Sequence, residues 1–566
     1  MQSPVATNAR ACVIADARID NRDELWRSLG PREGERSGDV ELILACWMRW
    51  GEAMVDHLVG DFALALFDRH QRRLLVARDA AGQRPLFVRQ HGASRWFASR
   101  PLALVAGAVE WNIGLIADGL ADAAHHDERT CFAGISKVAA GEMRWWSDRD
   151  DGRRRWFNPS FEPLKLSDDA FVDAYRHHLE QAVAVRLAGV DGPLAAHLSS
   201  GYDSAAVAAT AARLRPDRPI VALTVAPPLG FTPALVDGRS ADESSLAGLA
   251  ARQHGMHHIV LRSSPPLTLE LLRAQARYYQ DPFRNVLNST WFDATLREAR
   301  DAGSSILLGG ASGNLTLNAA PYPALGEWAR QGQWLVWARE AHRLARSGTV
   351  RWRRIVAASV GPLLPDAAER LATRMVHGRT AISPFAGPAL RGHRISVIAR
   401  EPRGDGASRA QALVRFEKGL LVKGAAMELG VEELDPLADR RLIEFSLRLP
   451  PEQLLRAGVT RPLARRALAD RLPPALIDSR HRGVQLINWR DAIHPQAVRD
   501  IVEEIGGRPS VAAMLDMPAI ERAVVEWPTN SGFCRADYVR LAVQLPQALA
   551  LGVMIDQVER DRQGIE

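Results

Sequence analysis

The chain has 566 residues, 47% apolar and 24% charged, the balance of a folded chain long enough for two domains. The formal net charge is +6, and only four of the 72 basic residues are lysines (Lys137, Lys165, Lys418, Lys423), so the basicity is an arginine bias rather than a nucleic-acid-binding pattern. Cys12, Cys46, Cys131 and Cys534 share no metal-ligand or redox spacing, the start lacks a basic-then-apolar signal, and the apolar runs "PLALVAGAV" and "LAVQLPQALALGVMI" are short or broken by Gln544, Pro546 and Gln547. These features predict a cytoplasmic protein with reduced thiols and neither a membrane nor a nucleic-acid partner.

The first 150 residues read mostly as strands. "RRLLVARDAAGQRPLFVRQHGASRWFAS" holds two extended runs broken at Gly82-Gln83 and His91-Gly92, as in hairpins. "SGDVELILACWMRWG" has helical apolar spacing with Asp39 near its start. "WWSDRDDGRRRWFNPS" reads as a linker or exposed loop. From about residue 165 the pattern changes: a helix capped by Ser167, the short strand "GPLAAHLSS", the helix "DSAAVAATAARL", the strand "PIVALTVAP", a helix ending on Gly255, and the strand "HHIVLR". Alternating strands and helices predict a parallel sheet covered by helices. The remainder is helix-rich, with an irregular Trp- and Arg-rich stretch near residues 320–410.

"HLSSGYDSAAVAAT" joins the first of these strands to its helix. Gly201 lets backbone approach an anion, the first N–H groups of the helix suit a phosphate, and Ser199 and Ser204 supply hydroxyl donors. Asp203 would repel a bare anion and makes sense where Mg²⁺ sits between carboxylate and phosphate. The alternative is an ordinary helix start capped by Ser or Asp.

This stretch resembles the pyrophosphate loop Ser-Gly-Gly-X-Asp-Ser of ATP pyrophosphatases. Across most of its length the chain is similar to the asparagine synthetase family. "RSGDVELILACWMRWGEAMVDHLVGDFALALFDRHQRRLLVARDAAGQRPLF" looks like that family's glutaminase domain. "DPLADRRLIEFSLRLPPEQL" and "TRPLARRALADRLPPALI" look like ordered segments of its synthetase domain. The resemblance implies an α/β protein: a degenerate class II glutaminase-like (Ntn-type) β-rich domain at 1–160, and an adenylating synthetase domain at 165–566 with an ATP-pyrophosphatase-like parallel sheet. It also implies ATP and Mg²⁺ as cofactors and an acyl-adenylate attacked by an amine.

Three departures narrow the expectation. The family's glutaminase nucleophile is a Cys after the initiator Met, and here Gln2 stands there. Cys12 is internal, the family's early strand pair is missing, and "VIADARIDNRDEL" lacks its Asn-Gly. The second active-site loop reads "ILLGGASGNLTLN": Asn314 stands for an Asp near metal or pyrophosphate, and Leu315 for the Glu that asparagine synthetase uses near aspartate. In "DSRHRGVQLINW" the family's Lys is absent, leaving Arg482 to face phosphate or an oxyanion and His481 to move a proton.

Together these features look like the lasso peptide cyclases, which join a peptide's N-terminal amine to an internal Asp or Glu side chain as a macrolactam. The resemblance then implies catalytic roles for Asp203, Asn314, His481 and Arg482, with Asp203 as metal ligand. It implies an ATP site from Leu198, Ser199, Ser200, Gly201, Tyr202, Asp203, Ser204, Val225, Gly309, Gly310, Ser312, Gly313 and Arg465, where the Ser200 hydroxyl donates to phosphates. The implied partners are a precursor peptide, a leader peptidase and a leader-recognition protein. A β-lactam synthetase-type ligase and a non-catalytic ATP-binding scaffold are the other readings.

Overall fold

The computed structural model describes residues 4–564 apart from 31–37, 122–127, 232–241, 263–265, 284–285, 348–349, 351, 361–382, 394–405, 480–482, 484–487 and 529–533. Among the described residues, nine strands build the N-terminal part: β1 Val5–Thr7, β2 Ala11–Ile19, β3 Gly60–Asp68, β4 Arg73–Arg78, β5 Phe87–His91, β6 Ser94–Ala98, β7 Ile135–Lys137, β8 Glu142–Trp146 and β9 Asp151–Arg155. They form a six-stranded sheet in the order β1-β2-β3-β4-β8-β9 and a three-stranded sheet in the order β6-β5-β7, antiparallel throughout. The predicted helix forms at Asp39–Trp50 and buries Leu42, Ile43, Cys46 and Trp47 against the larger sheet.

Three expectations change here. The early strand pair is present, with Val5 opposite Ile14 and Thr7 opposite Cys12. The break at His91-Gly92 is a hairpin, but the one at Gly82-Gln83 is a crossing between sheets, because β4 pairs with β8 and β5 with β7. The supposed linker is the β8–β9 hairpin, closed by Ser147 and Asp150, with Arg153 of its charged edge strand paired to Glu128 at 2.7 Å. Charge along an edge strand discourages pairing with another chain, which is why the segment reads as loop.

The C-terminal part is built on a parallel sheet of β10 Leu194–His197, β11 Ile220–Val225, β12 His257–Leu261, β13 Ile306–Leu308 and β14 Glu432–Leu434, in the order β12-β11-β10-β13-β14. The chain builds outward from β10 through β11 to β12 and then returns to the other side of β10. Strand order therefore reverses between β10 and β13, where the loops at the strands' carboxyl ends diverge and leave a crevice. The helices Asp168–Leu187, with Ser167 accepting from Ala170 N–H, and Tyr202–Leu214 pack on this sheet.

Helix Tyr538–Gln563 runs through the residues expected to break it. At 26 residues and mean hydropathy 1.4 it is long and apolar enough to cross a membrane, but 72% of its apolar window is buried within the protein. Pro546 falls in the first turn after a π-helical stretch, Tyr538–Gln544, where its missing N–H is tolerated. Around this helix lies a core that also takes in Phe87, Leu104, Ile116 and Phe132 of the N-terminal part, so the two halves share apolar packing.

Candidate active site

The first loop leaves β10 and enters helix Tyr202–Leu214. Leu198 N–H donates to the Leu223 carbonyl at 2.8 Å and Thr224 Oγ1 donates to the Leu198 carbonyl at 2.7 Å, which ties the loop's base to β11 just before Val225. The Ser199 and Ser204 hydroxyls meet at 2.7 Å, and Gly201 N–H donates to Ser199 Oγ at 3.0 Å. No side chain caps this helix, unlike the helix capped by Ser167. A Cβ at Gly201 would meet only Ser199 Oγ, at 3.2 Å, so the loop's outer face is open. Ser200 is buried, and its hydroxyl donates to Glu243 rather than lying free for phosphate. The turn before helix Ser244–Gln253 brings that carboxylate over the loop. On the far side of Glu243 lies Gly483, where a Cβ would fall 1.9 Å from Glu243 Oε2.

The second loop follows β13. A Cβ at Gly310 would come within 2.9 Å of Asp203 backbone, and one at Gly313 within 2.1 Å of Asp203 Oδ1. Glycine is required at both because the start of the first helix presses onto this loop. Asp203 Oδ1 also accepts from Asn318 Nδ2 at 2.6 Å. The Asn318 side-chain oxygen, Oδ1, accepts from the Tyr175 hydroxyl at 3.1 Å, which orients the amide with its donors toward Asp203. Burial and then the negative charge of Asp203 push the Tyr175 phenol up, so it remains a donor. Arg461, at a left-handed φ of 54°, donates Nε to the Asn318 carbonyl at 2.7 Å and Nη2 to Asn314 Oδ1 at 3.3 Å. Leu315 packs against the apolar core shared with the N-terminal sheet.

Behind the second loop is a buried charge network. Asp435 Oδ2 accepts from Ser312 N–H at 2.9 Å and from Ser312 Oγ at 2.8 Å. Lys418 Nζ lies 2.8 Å from Glu433 Oε1 and 3.6 Å from Asp435 Oδ2. Burial disfavours its charge, but Glu433 and Asp435 outweigh this and raise the ammonium's pKa, so Lys418 stays protonated. Gly309 leaves room for Glu433, whose Oε1 would be 2.2 Å from a Cβ there.

The strands of the N-terminal part reach this same segment: Arg78 pairs with Glu417 at 2.6 Å, Lys137 with Glu417 at 3.1 Å, Asp16 with Lys423 at 2.6 Å, and Arg84 with Glu432. Arg186, buried on the helix Asp168–Leu187, pairs with Asp20 and with Asp61 at 2.8 Å. The N-terminal domain thus braces the segment that carries Lys418 and Glu433 to the second loop.

Most of the expected residues converge: 198–204, Val225 at its β11 edge, Gly309, Gly310, Ser312, Gly313 and Asn314. Arg465 donates to the Thr460 carbonyl at 3.1 Å and faces Asp478 at 3.4 Å, next to Ile477, whose carbonyl accepts from the Tyr202 hydroxyl at 2.6 Å, while Arg461, one helical turn earlier, reaches the second loop. His481, Arg482 and Gln2 lie outside the described residues. Sequence reading missed Asn318, Tyr175, Glu243, Arg461 and the Lys418–Glu433–Asp435 network. Asn318 was within reach, four residues past Asn314 in a quoted motif; the others come from distant elements with no local signature.

Residues 174–548 match the asparagine synthase family, and residues 2–157 the glutamine amidotransferase domain. The chain is 30% identical over 207 residues to glutamine-hydrolysing asparagine synthetase 3 of Bacillus subtilis, covering 35% of this chain and 33% of that protein. It is 28% identical over 185 residues to the amidase chry2 of Gibberella zeae, covering 31% and 27% respectively. It is 30% identical over 203 residues to the root asparagine synthetase of Pisum sativum, covering 36% and 30%. The alignments thus span about a third of each of these relatives. With a glutamine amidotransferase-like domain ahead of a parallel-sheet synthase domain, the chain belongs to the asparagine synthase family.

Proposed function

We propose that the protein is an ATP-dependent amide ligase that activates a side-chain carboxylate of a peptide and lets that peptide's own N-terminal amine attack it, closing a macrolactam as lasso peptide cyclases do. The observation that carries the ligase reading is the meeting of the two loops at the reversal of strand order, with Asp203 locked between Gly313 and Asn318. In the proposed reaction a carboxylate oxygen attacks the α-phosphorus of ATP and the bond to pyrophosphate breaks. The amine nitrogen then attacks the acyl carbon, AMP leaves, and the ammonium proton passes to solvent.

Mg²⁺ is commonly held by one or two carboxylates together with substrate phosphates. Asp203 supplies one such carboxylate, and the described residues hold no cluster of three or more His, Cys, Asp or Glu that could cage an ion. The donor set suits an ion shared with the phosphates. Bound there, Mg²⁺ would neutralise charge on the leaving pyrophosphate.

Two features support an intramolecular amine and a peptide carboxylate over glutamine and aspartate. The stretch "VIADARIDNRDEL" lacks the Asn-Gly expected of a glutaminase, and Leu315, packed against an apolar core, stands where asparagine synthetase has a Glu. A precursor peptide freed of its leader by a peptidase, with a leader-recognition protein, completes the proposal.

The test is pyrophosphate release by purified protein with ATP and Mg²⁺. Release is expected with a leader-free linear peptide bearing a free amine and an internal Asp or Glu, with no glutamate formed from glutamine. Asparagine formed from aspartate and ammonia at a comparable rate would overturn the substrate assignment. ATP binding without pyrophosphate release under any condition would favour a scaffold and overturn the ligase reading.

A further inference from the structure

A cavity of about 530 Å³ opens between the two domains, away from the loops described above. Arg129, Lys137, Arg153 and Arg155 line it from the N-terminal domain, and Arg415 from the synthase domain. Its carboxylates are already engaged: Glu128 with Arg144 at 2.9 Å and Arg153 at 2.7 Å, and Glu417 with Arg78 and Lys137. Arg129 is paired with Asp118 at 2.8 Å. Arg155 and Arg415 are exposed and have no ion-pair partner among the described residues. The lining thus carries positive charge that the protein leaves uncompensated, from opposite sides of a domain boundary.

Arg153 and Arg155 lie on β9, at the edge of the six-stranded sheet opposite β1. Five strand spacings separate the two edges, roughly 24 Å. Among the described residues no aromatic ring lines the cavity, and Ala139 and Val414 are the aliphatic side chains, so charge rather than an apolar face dominates the lining.

We propose that this cavity binds a compact oxyanion of at least two negative charges, a phosphate ester or polycarboxylate, held between Arg155 of one domain and Arg415 of the other. Guanidinium groups pair bidentately with both phosphate and carboxylate oxygens, so the two classes share one recognition chemistry. Occupancy would clamp the domains together beside Glu417, the residue preceding Lys418 in the chain.

Citrate and inorganic phosphate serve as probes, titrated calorimetrically into the full-length protein without nucleotide, the cavity variants below separating this site from the nucleotide site. Binding is expected for at least one and to weaken as salt is raised. Arg155→Glu and Arg415→Glu should each weaken it by about tenfold or more, the loss of one charged hydrogen bond, and the double reversal should abolish it. Both side chains are exposed and have no ion-pair partner among the described residues, so melting without ligand should be nearly unchanged in the variants, Arg415→Glu losing at most about 1 kcal/mol at its helix C-terminus. Citrate binding alone identifies a polycarboxylate site, and phosphate binding alone a phosphate site. Binding of neither, equal binding by wild type and the double variant, or binding only of a polyglutamate peptide would overturn the proposal.

Discussion

Ser200 donates its hydroxyl hydrogen to Glu243, so the second position of the first loop holds down a carboxylate beside the proposed phosphate site. The residue that departs from a glycine-rich loop has a partner in the turn before the next helix, and that partner packs against Gly483.

Ser200→Ala should release that carboxylate. A hydrogen bond to a charged group is worth about 1.5 kcal/mol or more, so KM for ATP should rise about tenfold. Glu243→Gln in the same background should recover most of the loss. Steady-state pyrophosphate release measures both, and an unchanged KM in Ser200→Ala contradicts the role.

Asp203→Asn keeps an acceptor for Asn318 while removing the charge. Pyrophosphate release should fall by about 100-fold or more, with the denaturation midpoint nearly unmoved, since a lost electrostatic contact to a reacting group costs on that order. Gly313→Ala should destabilise instead, by about 1–3 kcal/mol, because its Cβ would overlap the same carboxylate. Urea denaturation alongside the kinetic assay separates the two outcomes.

Lys418→Met leaves Glu433 and Asp435 buried without their cation. Breaking a buried pair from one side costs about 3–5 kcal/mol. Urea melts should show that loss, and Glu433→Gln with Asp435→Asn in the Met background should return part of it. A shift under about 1 kcal/mol would place the network outside the fold's essential contacts.

Glu417 sits in the contact between the domains. Burial opposes its ionisation, but Arg78 and Lys137 outweigh burial and bring its carboxyl from an ordinary 4.5 down to about 2. A carboxyl depressed on folding stabilises the fold above its unfolded value, and that stabilisation is lost as pH falls toward the folded value. The difference is on the order of 3 kcal/mol. Between pH 4.5 and 2 the wild type should therefore lose more stability than Glu417→Gln, measured by thermal melts across that range. Parallel acid limbs would contradict the pairing.

The architecture was legible where a local pattern carried it. The switch from antiparallel strands to alternating strand and helix, the capped helix after Ser167, and both loops could be read directly. The β8–β9 hairpin was hidden because its solvent-facing arginines imitate a loop, and the Tyr538–Gln563 helix because Pro546 looks like a break. Within the site, Gly310 and Gly313 could be named, but the reason for them could not, since it is Asp203 arriving on the helix that follows another strand. Lys418 stood out in the sequence as one of few lysines and a fallback cation, but its partners Glu433 and Asp435 lie across a helix and a turn.

The most direct measurement is mass spectrometry of a linear, leader-free precursor peptide incubated with the purified protein, ATP and Mg²⁺ and no glutamine. The account predicts a product lighter by one water, cross-linked between the N-terminal amine and one Asp or Glu side chain, with AMP and pyrophosphate formed in equal amount. An unchanged peptide alongside asparagine made from aspartate would contradict it.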